Sequence, residues 1–152
     1  MSGSVTRKWF VAVVFSVGLS GCPSDPNAGG ACIDKETDTL ILQVVNTADF
    51  PVSVPTSRPR IGCCGGNELS ISIVDADGAE VQRCGTSDNF LVPDYINLEK
   101  DKSIVYQISA KSLSGVYCGV DLEKSYVSAK YGRDEALIQL SPSAERIRSC
   151  KR

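Results

Sequence analysis

"ELSISIVDADGAE", residues 68–80, decides the fold class. Leu69, Ile71 and Ile73 alternate with Ser70 and Ser72, and a period of two describes a half-buried strand rather than a helix. "DADG", residues 75–78, is a hairpin turn in which Gly78 can take positive φ, and residues 79–84 return from it. Similar signals lie on both sides. "TLILQVVN", residues 39–46, is apolar and β-branched, as in a strand buried on both faces. "FPVSV", residues 50–54, alternates. "SIVYQISA", residues 103–110, sets Ile104, Tyr106 and Ile108 on one face and comes after a turn, "LEKDKS". "SYVSAKY", residues 125–131, runs through the turn "GRDE" into "ALIQL", residues 136–140. No long stretch has helical period. "SPSAERIRSC", residues 141–150, predicts a short helix capped by Ser141, with Pro142 in its first turn. Short strands at regular spacing predict an all-β chain forming a single β-sandwich. The strand order loosely resembles bacterial immunoglobulin-like domains, including the late "YVSAKY" strand and its hairpin.

The N-terminus is of a different kind. Arg7 and Lys8 precede "WFVAVVFSVGL", residues 9–19, which carries no charge. A basic start and a short apolar run are the plan of a secretory signal peptide. The run is shorter than the roughly 20 residues that span a bilayer. A buried core helix has the same composition, but the next four residues favour export. "LSGC", residues 19–22, resembles the lipobox of bacterial lipoproteins. The resemblance implies a diacylglycerol on Cys22, cleavage just before it and acylation of the new amino terminus. Palmitate or a similar chain gains about 0.8 kcal/mol per buried methylene, and several chains on one cysteine make a lasting anchor. Pro23 stands where an Asp would hold enterobacterial lipoproteins in the inner membrane, so the resemblance implies the outer membrane. An ordinary secretion signal, with Cys22 in a disulfide, is the alternative. "PSDPNAGGA", residues 23–31, has the composition of a flexible tether. The expected organisation is a signal peptide over 1–21, the lipidated cysteine and tether over 22–37, and the sandwich over 38–152.

The chain has 7 cysteines. Setting Cys22 aside leaves Cys32, Cys63, Cys64, Cys84, Cys118 and Cys150, an even set suited to three disulfides in an oxidising compartment. A bond between adjacent residues strains the peptide, so Cys63 and Cys64 are expected to pair elsewhere, one of them with Cys84. Cys150 would then fasten the C-terminal tail. Zinc is the rival use of clustered cysteines, but the spacings do not fit and the chain has 0 histidines. No metal and no cofactor are expected.

The missing histidine also removes Ser-His-Asp and Cys-His mechanisms. "CCGGN", residues 63–67, lacks the lysine and helix of a phosphate loop and reads as a tight pinned loop. Asp75 and Asp77 fit a solvated turn better than a calcium loop, which needs more ligands and a distal acid. Asp88 and Asp94 could act with Glu99 as acid and base only if the fold brings them together. Cleavage before Cys22 would remove two of the 16 basic residues and none of the 18 acids, taking the net charge from -2 to -4. An acidic chain is a poor nucleic-acid binder. Two stretches stand out as binding surfaces. "PTSRPRIGCCGGN", residues 55–67, would hold Arg58, Arg60 and Ile61 exposed on a rigid loop. The tail groups Arg146, Arg148, Lys151 and Arg152. The expected function is a lipid-anchored envelope lipoprotein that binds a protein partner or acts as a scaffold, without catalysis. A periplasmic inhibitor or immunity lipoprotein that blocks a hydrolase or toxin is the alternative. An envelope enzyme using carboxylates is the third reading.

Overall fold

The computed structural model describes residues 29–62, 67–85 and 94–151. The signal peptide, Cys22 and the first part of the tether lie outside them, as do Cys63, Cys64, Asp88 and Arg152.

The chain is all-β apart from short helical turns. A four-stranded sheet runs in the order β11 (Arg148–Ser149), β1 (Gly30–Asp34), β2 (Thr39–Val45), β7 (Ser103–Ser109). A five-stranded sheet has the path β10 (Glu145–Arg146), β8 (Tyr126–Arg133), β5 (Leu69–Val74), β4 (Arg60–Ile61), with β9 (Ala136–Gln139) also paired to β8. β3 (Val52–Pro55) and β6 (Tyr95–Leu98) form a separate ribbon. The two larger sheets share one hydrophobic core. Leu40, Leu42 and Val44 of β2 lie opposite Ile108, Tyr106 and Ile104 of β7. From the other sheet come Leu69, Ile71 and Ile73 of β5, opposite Tyr131, Ala129 and Val127 of β8. Burying each large apolar side chain contributes about 1.5–3 kcal/mol. The all-β class is as the sequence implied, and the likeness to immunoglobulin-like domains stays a resemblance.

Several expectations are corrected. The domain begins before residue 38: β1 lies inside the expected tether and pairs along its whole length with β2. Its composition is loop-like, but its apolar residues meet a partner strand. Gly29 sits so close to Ser141 and Pro142 that a Cβ there would lie 2.6 Å from backbone atoms, so only glycine fits. The outer face of β2 is only half-covered at Thr39, Ile41 and Gln43 and closes at Val45. β5 departs the other way. Ser70 and Ser72 are 2% and 4% exposed, so both of its faces are closed. Tyr117 sets its hydroxyl against Ser72.

The hairpin after β5 forms as its sequence implied. Gly78 has φ 82°, and Asp75 Oδ1 accepts from the N–H groups of Asp77 and Ala79. Among the described residues the return makes a single bridge, Val74 to Glu80. Residues 141–150 are not a helix. They form β10 and β11, which belong to different sheets, with Ile147 fully buried between them. Long-range ladders outweigh the local cap: Ile147 N–H donates to Ser125 O, and Cys150 N–H donates to Ile33 O. A helix not foreseen, α1 (Ala110–Val116), comes directly after β7, and Ser109 Oγ caps it by accepting from Ser112 N–H.

Candidate functional site

Two disulfides are placed among the described residues. Cys32–Cys150 ties β1 to the chain end across 118 residues, and Cys84–Cys118 joins the segment after the β5 hairpin to the end of α1 across 34. Cys150 thus fastens the tail as expected. Cys84 does not pair with Cys63 or Cys64: its N–H donates to Val116 O, which brings it to Cys118 instead. The two bonds leave Cys63 and Cys64 as the remaining pair of the six. Three disulfides and no adjacent bond therefore cannot both hold. Gly62, the last described residue before them, sits against Arg83 and Val116. If three disulfides form, alkylation of the denatured, unreduced mature protein will modify no cysteine, and intact mass reads this directly. Two modified cysteines would show a dithiol in place of the third bond.

The expected binding loop is only partly a surface. Pro59 is buried, and β4 pairs in parallel with β5, setting Arg60 outward and Ile61 inward. Ile61 is 3% exposed and belongs to the core, so it cannot touch a partner. The parallel pairing with β5 is what draws it in. Arg60 is exposed and bonds Glu68 at 2.6 Å. Arg58 is half-buried. The tail residues are better fixed than a free terminus: Arg146 and Arg148 project outward on either side of Ile147, and the Cys32–Cys150 bond holds the chain just beyond them.

Asp88 lies outside the described residues, and among those described the candidate carboxylates do not converge. Asp94 precedes β6 and Glu99 comes after it, so the two are held about 16 Å apart by the strand between them. Asp75 and Asp77 serve the hairpin turn. Among the described residues no group of three metal-ligating side chains comes together.

Among the described residues, the titratable groups with displaced pKa values all move away from neutrality. Burial raises the hydroxyls of Tyr106 and Tyr117, and the hydrogen bond from Tyr117 to Glu80 at 2.6 Å raises the latter further. Tyr106 donates to Pro55 O at 2.7 Å, tying β7 to the β3–β6 ribbon. At the surface a hydrogen bond between Lys100 and Asp49 lowers the carboxyl and raises the ammonium. None of these shifts poises a group for proton transfer near pH 7.

Two concave surfaces were not foreseen. A groove of about 740 Å³ runs between the β1–β2 turn, α1 and the 3-10 turn Leu122–Lys124, with Ile33, Ala110 and Leu122 on its walls. A second, of about 420 Å³, shares Ile33 and Lys35 and reaches Ser149 and Cys150. The Lys35–Glu123 ion pair, at 2.8 Å, stands where they meet. Ser109 before "AKSLSGV" was the sequence signal for the helix that builds one wall. Seven residues are too few for a period to show.

No family model matches the chain, and neither does any curated protein or solved structure.

Proposed function

We propose that the chain is a lipid-anchored lipoprotein of the bacterial envelope, facing the periplasm or the cell surface, that acts by binding a protein partner and not by catalysis. The observation that carries this reading is the cysteine pattern. Two long-range disulfides suit an oxidising compartment. Cys22 is the odd cysteine outside the even set, and it stands in "LSGC" directly after an uncharged apolar run. Absence of histidine and separation of the carboxylates leave binding as the simpler activity. The exposed arginines on short, pinned strands, Arg60, Arg146 and Arg148, are the side chains best suited to a partner. Of these, Arg60 would have to exchange its bond to Glu68.

Cys22→Ala tests the anchor. The variant is expected to incorporate no radiolabelled palmitate and to leave the lipidated membrane fraction. Equal labelling of variant and wild type would rule the anchor out.

A further inference from the structure

We propose that the free edge of β7 is a self-association site, at which two copies join their four-stranded sheets into one continuous sheet of eight strands. Among the described residues β7 pairs on one side only, with β2. At 7 residues it is the longest such edge, whereas β4, β10 and β11 have two residues each and β9 has four. Natural edges are guarded by brevity, lysines, prolines or bulges, because unpaired N–H and C=O groups template another strand. β7 is long and contains no charge, no proline and no glycine.

Its chemistry fits a second copy. The chain is 22% charged, yet neither β7 nor the adjoining β2 carries one charged residue. Antiparallel pairing about a two-fold axis at Tyr106 sets Ser103 opposite Ser109, Ile104 opposite Ile108, and Val105 opposite Gln107 of the second copy. Each pair lies on one face, so the core rows and the outer rows both continue across the join. An isologous contact must be complementary to itself, and a neutral strand brings no like charges together. Val105, 51% exposed on the outer face, would be covered by Gln107. The turn before β7 carries Glu99, Lys100, Asp101 and Lys102, two of each sign, so it presents no repulsive block to Lys111 at the far end of the second copy. An acidic or basic foreign segment would find no countercharge along this strand.

The test is the mass of the purified mature protein in detergent, followed with concentration by sedimentation. The wild type is expected to pass from one copy to two. Val105→Lys/Gln107→Lys and Val105→Glu/Gln107→Glu place like charges across the join on exposed positions. Each is expected to stay at the mass of one copy, and an equimolar mixture of the two to regain the doubled mass. A wild type that remains single over the whole range overturns the proposal, whatever the variants do. So do variants that associate as the wild type does, or a mixture that fails to recover. Loss of the Cys22 anchor leaves this result unchanged, so the two proposals fail separately.

Discussion

Removing the Cys32–Cys150 disulfide as Cys32→Ala/Cys150→Ala is expected to lower stability by about 5 kcal/mol, against about 4 kcal/mol for Cys84→Ala/Cys118→Ala, on the chain-entropy account of cross-links. The difference comes from loop length, since the first bond closes 118 residues and the second 34. Packing adds to it. Cys32 is 2% exposed in the middle of β1, whereas Cys84 and Cys118 are both exposed. The first bond also secures a fragile element. β11 has two residues in parallel register with β1, and with β10 it keeps Ile147 in the core. A domain of this size has roughly 5–15 kcal/mol in total, so loss of the first bond should leave a marginal fold. Urea unfolding of the two double variants under oxidising conditions decides the order. If Cys84→Ala/Cys118→Ala were the more damaging, the loop-length argument would be wrong.

Asn46→Ala should cost about 3 kcal/mol, a large effect for one polar residue, because it strips partners from buried backbone groups. The Asn46 side chain is fully buried at the end of β2. Its Nδ2 donates to Phe50 O at 2.9 Å and to Leu98 O at 2.8 Å, and its Oδ1 accepts from Ala48 N–H at 2.9 Å. The backbone of the same residue bonds Lys102 O and Asp101 N–H. The side chain thus locks the end of β2 to the end of β6, while the backbone ties it to the turn that launches β7. Asn46→Asp should be worse still at neutral pH: it keeps the acceptor for Ala48 but turns oxygen toward two carbonyls and buries a charge. Denaturant midpoints of both variants test the ranking. An alanine variant as stable as the wild type would mean that water reaches these groups.

The strands and their inward faces were legible because alternation is local. Ile104, Tyr106 and Ile108 of β7 point inward as their spacing implied. The hairpin at Gly78 and the turn before β9 could be read for the same reason: turn chemistry is written in three or four neighbouring residues. The candidate site was less legible. Ile61 comes after two arginines and a proline and reads as loop, and only the distant context of β5, itself held by β8, makes it a core residue.

By itself the sequence determined the all-β class, the inward rows of the strands, the tight turns and an even set of cysteines beyond Cys22. Tertiary structure alone decided which cysteines meet, because Cys32 and Cys150 come together only when β1 lies beside β11. It also decided that both faces of β5 are closed, that the tail divides between two sheets, and that β7 has an open edge among the described residues. The physical reason is range. Side-chain period and turn propensity act over a few residues, whereas a strand's neighbours, the cover on its outer face and its disulfide partner come from chain far away in sequence.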